Sequence, residues 1–279
     1  MTTAILPRPS HHLVEVGGVF TALWAHRRYI LTGALRDLKQ RYAGSGMGIL
    51  WHVVTPLAQI IVYFVVFSRF MGAQAGGSYS AGAYGVFLCA GILPWFVFAE
   101  CVGRGTTALL ANEGYLKKLP VPEGVFVAQT VATSGLTLAL YGVALMVIAL
   151  FAGLPPRVAW LLIPVVLLLF LGLGFGLALI LATVTVFFRD VTQIVGIVLQ
   201  FWFWLTPIVY HETSLGPWLT EVMRWNPPTA YILAVRRLLI EGAVPGIGDW
   251  AWMAGLALLF SALGASILQR LSSDLRDAL

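Results

Sequence analysis

The sequence is poor in charge. Of its 279 residues, only 10% are Asp, Glu, Lys or Arg, while 59% are hydrophobic. A soluble domain carries about 25% charged residues. A water-soluble globule is therefore excluded, and a polytopic, all-α membrane protein is expected. Lysine is scarcer still: Lys39, Lys117 and Lys118 are the whole set. None sits in a G-x-x-x-x-G-K-(S/T) loop, whose backbone amides cradle nucleotide phosphates. ATP hydrolysis by that route is excluded, so the chain is not expected to be an enzyme by itself. The two cysteines, Cys89 and Cys101, fall on one expected helix. At about 1.5 Å per residue they lie ~18 Å apart, beyond disulfide reach. Both read as small buried apolar residues. The five histidines, His11, His12, His26, His52 and His211, show no H-x-x-x-H spacing, and no metal site is expected. Glu15 and the His, Arg and Gly near it interrupt any early apolar core, so no secretory signal peptide is expected.

What is present is organised around Arg41 to Pro56, RYAGSGMGILWHVVTP. Gly44, Ser45, Gly46 and Gly48 permit bends and close backbone approach. Trp51 suits the headgroup level, and Pro56 predicts a kink in the helix that follows. Ahead of this border, Phe20, Leu23, Trp24, Leu31, Leu35, Leu38 and Tyr42 recur at helical spacing. His26, Arg27, Arg28, Arg36, Asp37, Lys39 and Gln40 fall mostly elsewhere on the wheel. That pattern predicts an amphipathic helix lying in the headgroup plane; a solvated helix packed on a partner fits it as well.

Residues 1–48 read as a cytoplasmic segment, 49–270 as a six-helix membrane domain and 271–279 as a cytoplasmic tail. The spans fall at 49–70, 84–102, 125–152, 160–188, 191–210 and 250–268. Segment 106–122 is too polar to cross. Between the fifth and sixth spans, region 212–245 holds two helical stretches, Pro217 to Trp225 and Thr229 to Ile240, broken at Asn226-Pro227-Pro228. Each has the length of a re-entrant or interfacial helix. Gly172, Gly174 and Gly176 follow no strand and sit in an apolar run, so they predict close helix packing rather than a phosphate loop. Glu100 and Arg104 either pair at i,i+4 or snorkel separately. Arg189-Asp190 makes a minimal hairpin, held by charge pairing or simply reversing the chain. With both ends inside, only five of the seventeen cations fall outside: Arg69, Arg157, Arg224, Arg236 and Arg237. That bias supports cytoplasmic termini, and the last three run against it.

Arg41-Tyr42, Ser45, Gly48, Trp51 and Pro56 together resemble the R-Y-x-x-S-x-(L/M)-G-x-x-W-x-x-x-x-P signature of polysaccharide-export ABC permeases, with Met47 at a usual Leu position. The GILPWFVF run, with Pro94, Trp95 and Phe96, is similar to the family's G-x-x-P-(W/F)-(F/W)-x-F. Phe187 to Val191 resembles its (Y/F)-R-D-(V/I), and FWFWLTPIVY followed by Trp225-Asn226-Pro227 resembles its S-P-(V/I)-x-Y and W-N-P elements, Thr206 replacing Ser. These permeases serve O antigen, capsule and teichoic acid export. The resemblance implies an ATP-driven exporter of a lipid-linked cell-envelope polysaccharide in the bacterial cytoplasmic (inner) membrane.

It also implies a homodimer with the pore between copies and one ATPase, holding ATP and Mg, under each; this chain would bind no cofactor. The helix carrying Arg36 and Arg41 would touch the ATPase. Asn112, Glu113, Tyr115, Leu116, Lys117, Lys118 and Pro122 would form the coupling segment. The two short helices would line the exit. Periplasmic or outer-membrane export proteins are further candidate partners, and nucleic acid is not.

Sugar rings pack their C–H faces on aromatic rings, which makes Trp51, Tyr63, Trp95, Phe96, Trp202, Trp204 and Tyr210 candidates for the substrate path. Trp and Tyr also belong at membrane interfaces on their own account. Arg224, Arg236 and Arg237 either guide an anionic chain at the exit or pair with Glu212, Glu221 and Glu241. Two rival functions are weighed: an ABC-2 permease for drugs or lipids, and a membrane-embedded sugar or lipid transferase. The second needs clustered acid–base groups, and nothing in the sequence brings His52 to Glu100.

Overall fold

A computed structural model describes residues 17–41, 46, 48–70, 81–118, 121–211 and 216–278. Tyr42, Gly44, Ser45 and Met47 of the border signature lie outside the described residues, as do Leu119 and Glu212. Regular structure among the described residues is helical throughout.

The amphipathic pattern folds as two helices, α1 (Gly17–Ala25) and α2 (Arg27–Gln40), rather than one. His26 stands between them at φ −97° and ψ 14°, and its Nδ1 lies 2.9 Å from the Ala22 carbonyl. Ile30 and Ala34 turn inward and are buried, while Phe20, Trp24, Leu31 and Leu35 stay exposed. Much of the expected apolar stripe thus faces outward, while Leu23 and Leu38 are half-buried.

A 3-10 turn, Gly48–Leu50, leads into α3 (Trp51–Phe70), which contains Pro56. Gly48 has φ +52°, a conformation that favours glycine. Next come α4 (Ala81–Thr106), α5 (Ala108–Ala111), α6 (Glu113–Leu116) and α7 (Glu123–Phe151). A 3-10 turn (Val158–Leu162) precedes α8 (Ile163–Phe187), followed by α9 (Val191–Leu205), α10 (Pro217–Trp225) and α11 (Pro227–Arg236). A π turn (Arg237–Glu241), α12 (Ile247–Arg270) and α13 (Ser272–Ala278) complete the chain.

Among the described residues, four stretches are long and apolar enough to cross a membrane: Tyr84–Thr106, Glu123–Phe151, Val158–Phe187 and Ile247–Arg270. Val54–Tyr63 and Val191–Leu205 are apolar but shorter. The fifth expected span therefore ends earlier than its apolar run. Thr206 is extended, at φ −105° and ψ 135°, because a residue before proline is steered out of the α region. Pro227 and Pro228, expected to help break the next segment, instead open α11; proline's fixed φ suits a helix start. The break is Asn226 alone.

The core is built on α8, which lies against α12, α4 and α7. Glycine sets how close these helices come. A Cβ on Gly176 would sit 2.3 Å from the Phe260 carbonyl carbon, and one on Gly264 would sit 2.7 Å from the Gly176 oxygen. The Ser261 hydroxyl donates to the Gly172 carbonyl across the same seam, at 3.1 Å. Close packing is thus the role of this glycine run. Cys89 and Cys101 are both buried and free on α4. Stacked rings carry the core outward: Phe98 on Phe170 at 4.5 Å and Phe170 on Tyr231 at 4.9 Å.

Candidate functional site

Four charges meet where α2 ends and α4 approaches its last turn. Asp37 and Arg41 stand one turn apart on the α2 side, and Glu100 and Arg104 one turn apart on α4. Arg104 bonds Asp37 at 2.8 Å and Glu100 at 3.4 Å; Arg41 bonds Asp37 at 3.4 Å and also pairs with Glu100. The expected Glu100–Arg104 pair is present as one side of this alternating ring. Arg41, read from sequence as an ATPase contact, is turned inward to Glu100, with 16% of its side chain exposed. Arg36 is exposed on α2.

Beside the ring lies a cavity of about 350 Å³, lined by Arg41, Trp51, Gln59, Phe96, Glu100 and Tyr141 among others. It brings Phe96 of α4 to Arg41 and Trp51 of the border stretch. The Arg41 Nε is buried and has no acceptor among the described residues.

The short helices α5 and α6 follow α4 with Thr107 alone between. Leu109 and Leu116 are buried and anchor the segment, while Tyr115 is exposed. Asn112 caps nothing with its side chain; it donates to the Ala108 carbonyl at 2.8 Å. Lys117 bonds Glu113 at 2.5 Å. That hydrogen bond and the lysine charge hold the Glu113 carboxyl below the usual range, and Arg189 adds a smaller pull. The Arg189-Asp190 turn therefore lies at the same end of the molecule as α6. Both its residues are exposed, and no ion pair joins them. The turn is closed by backbone instead, Val191 N to Phe188 O at 3.1 Å. Lys118 is exposed and Pro122 precedes α7.

At the opposite end, Asn226 ties α9 to the α10–α11 break. Its side-chain oxygen accepts from Trp202 Nε1 at 2.6 Å, and its amide donates to the Leu205 carbonyl at 3.1 Å and the Thr206 hydroxyl at 3.0 Å. From sequence Asn226 read only as a helix breaker. The indole four residues before a T-P turn was the available sign of a partner.

The aromatic path candidates separate by environment. Trp95 is buried against Trp202 and Phe203, at 6.3 and 6.0 Å, and is core within this chain. Tyr63 stacks on Phe203 at 5.8 Å. Tyr210 donates its hydroxyl to the Trp204 carbonyl at 2.7 Å. Trp51 and Trp204 are exposed.

The three outer arginines also separate, and two depart from expectation. Arg236 is 5% exposed and lies in the core, not on an exit surface. Its guanidinium donates to the carbonyls of Phe87 at 3.3 Å, Pro207 at 2.6 Å and Ile208, and lies 3.5 Å from the Phe87 ring centroid. The cause is the end of α9: where the chain leaves the helix, its carbonyls need donors from elsewhere, and the guanidinium fork supplies them. Arg237 pairs with Asp249 at 3.0 Å, at the start of α12, rather than with one of the expected glutamates. Arg224 does pair with Glu221, at 3.3 Å, in the open. Arg157 and Trp160 donate to the Ile240 and Leu239 carbonyls at 3.0 and 3.1 Å, securing the π turn; neither role was visible in sequence.

A family model described as ABC-2 type transporter matches residues 29–240. The chain is 29% identical over 241 residues to the O-antigen export system permease protein RfbA of Klebsiella pneumoniae, covering 85% of this chain and 89% of that protein. Over 259 residues it is 26% identical to the protein of the same name from Myxococcus xanthus, covering 92% and 97%. The polysialic acid transport protein KpsM of Escherichia coli is 25% identical over 221 residues, covering 76% and 80%. The match takes in the charged ring, α5–α6 and the Asn226 tie, and on it the chain belongs to the ABC-2 type transporter membrane family.

Proposed function

We propose that this chain is the permease subunit of an ATP-driven exporter that moves a lipid-linked cell-envelope polysaccharide across the bacterial cytoplasmic membrane. The observation that carries this is the likeness, over most of its length, to permeases named for O-antigen export and polysialic acid transport. No drug or lipid transporter stands among these relatives. In this reading α3 and α9 complete a set of six spans, both termini are cytoplasmic, and α10–α11 dip back from the outer face. Two copies enclose the pore, and an ATPase beneath each supplies the ATP and Mg chemistry.

The docking surface is α5–α6 with its exposed Tyr115, Lys117 and Lys118, flanked by the Arg189-Asp190 turn. Anchoring by Leu109 and Leu116 supports this assignment, because an anchored helix transmits a push that a loose loop absorbs. Export then needs two states of the permease that the nucleotide-bound ATPase favours differently. The path through the pore calls for many weak contacts, which exposed rings such as Trp51 and Trp204 can offer to sugar faces.

The test is gentle extraction of the tagged chain from its native membrane, followed by identification of bound protein and glycolipid. A stoichiometric ATPase that is lost from Tyr115→Ala/Lys117→Glu chains of unchanged thermal stability is the expected result. A chain that purifies without any ATPase would overturn the proposal.

A further inference from the structure

Building on the exporter function, and resting on that reading, we infer that the cavity beside the charged ring binds the phosphate-bearing head of a glycolipid, and that its occupant competes with Glu100 for Arg41. The cavity's volume, about 350 Å³, falls in the range of small-ligand sites, roughly 300–1,000 Å³. Its lining suits both halves of such a head. Trp51, Phe96 and Tyr141 present ring surface, and Gln59 presents an amide, the groups that hold sugar faces and hydroxyls. Arg41 presents a guanidinium, whose planar fork matches phosphate oxygens two at a time.

Arg41 is incompletely used by the protein itself. Its two terminal nitrogens reach Asp37 and Glu100, while Nε is buried without an acceptor among the described residues. An arginine has five N–H donors, so a phosphate in the cavity that Arg41 lines can share it with the two carboxylates. The depth is also right. The exposed apolar face of α2, at Leu31 and Leu35, marks the headgroup level, where a lipid phosphate resides. Trp51 is 42% exposed, so a ligand can reach the cavity from outside the chain.

Occupancy has a mechanical consequence. Two pairs bridge α2 to α4: Arg41–Glu100 and Arg104–Asp37. A lipid-linked diphosphate carries two negative charges against the one of a carboxylate, and its paired oxygens match the guanidinium fork, so it draws Arg41 off Glu100. One bridge then remains. Because α4 passes into α5–α6 through Thr107 alone, loosening its end shifts the ATPase docking surface. The ring is a latch that reports a loaded substrate.

The opposing charges allow a test of sign. The full chain is placed in nanodiscs of zwitterionic lipid, and binding of a synthetic polyprenyl-diphosphate N-acetylglucosamine is measured by native mass spectrometry. Arg41→Gln is expected to weaken binding about tenfold, the loss of a charge-assisted contact. Glu100→Gln, which removes the competitor, is expected to tighten it about threefold. Gln59→Ala, outside the ring, is expected to weaken the sugar-bearing probe and leave inorganic pyrophosphate unchanged.

Competition by inorganic pyrophosphate or by phosphatidylglycerol distinguishes a free phosphate from a membrane headgroup as the source of the anion; either supports the phosphate site. A ring that is only structural would give Arg41→Gln and Glu100→Gln effects of the same sign, and that result overturns the inference, as does wild-type chain that binds no probe. Binding is read on the permease alone, whereas the exporter reading fails at ATPase co-purification, so the two failures are separate.

Discussion

A buried cation is tolerated when hydrogen-bond partners replace the water it loses. Arg236 meets that condition with three carbonyls and the face of Phe87. Arg236→Met removes three hydrogen bonds and the cation–ring contact from a buried site. A loss of about 3 kcal/mol is expected, read as a lowered thermal midpoint of the purified chain. Arg236→Lys keeps the charge but replaces the fork with a point donor, and should fall between. Arg224 and Arg237 behave differently, because both sit in exposed pairs worth up to about 1 kcal/mol. They can be removed without unfolding the protein, so they, and not Arg236, test guidance of an acidic polymer at the exit. Arg224→Ala/Arg237→Ala should lower export of an acidic polymer in cells with normal permease levels; unchanged export removes the guiding role. Asn226 offers a third residue-scale case. Asn226→Asp still accepts from Trp202 but cannot donate to Leu205 and Thr206, and it brings a carboxylate to two oxygens. It should lower the thermal midpoint more than Asn226→Ala does.

Among the elements, α8 and α12 form the tightest seam, and α9 is held far more lightly, against α4 and α8. Gly176→Ala drives a methyl into the Phe260 backbone, an overpacking expected to cost about 1–3 kcal/mol. Gly196→Ala on α9 meets nothing within 4 Å and should be neutral or gain up to about 1 kcal/mol from helix propensity. Thermal unfolding of the two variants side by side checks the contrast. The same elements show what pattern alone can reach. Runs of apolar residues as long as those of α4, α7, α8 and α12 leave little choice of structure, and their ends were legible within a few residues. The end of α9 was not, because FWFWLTPIVY stays apolar past the point where Pro207 turns the chain. The charged ring was half legible. Asp37/Arg41 and Glu100/Arg104 repeat one acid-x-x-x-Arg spacing, yet the pairs joining them span 59 and 67 residues, and only the fold brings them together. Arg236 was misread for a related reason: a charge in an outer loop looks exposed until the carbonyls it serves are known.

One copy of the chain leaves its shorter apolar helices lightly covered. At about 1.5 Å per residue, α9 is roughly 22 Å long, against a hydrocarbon core of about 30 Å. Short helices in a bilayer are sheltered by protein or thin the membrane around them. Yet α9 exposes Ile194, Ile197, Val198, Phe201, Trp204 and Leu205 along one face. Leu168 is just as exposed but belongs to the full-length span of α8, which suits lipid. A second copy is therefore expected to cover α9 and not the Leu168 face of α8. Single cysteines report this cleanly, because Cys89 and Cys101 are buried and silent. In native membranes, Ile197→Cys or Phe201→Cys should give a covalent dimer with a short bismaleimide, and Leu168→Cys should not. Cross-linking at Leu168 alone would move the interface to α8. A monomer at all three positions would mean that no second copy lies against these faces, and that the pore cannot be walled by two copies meeting at α9.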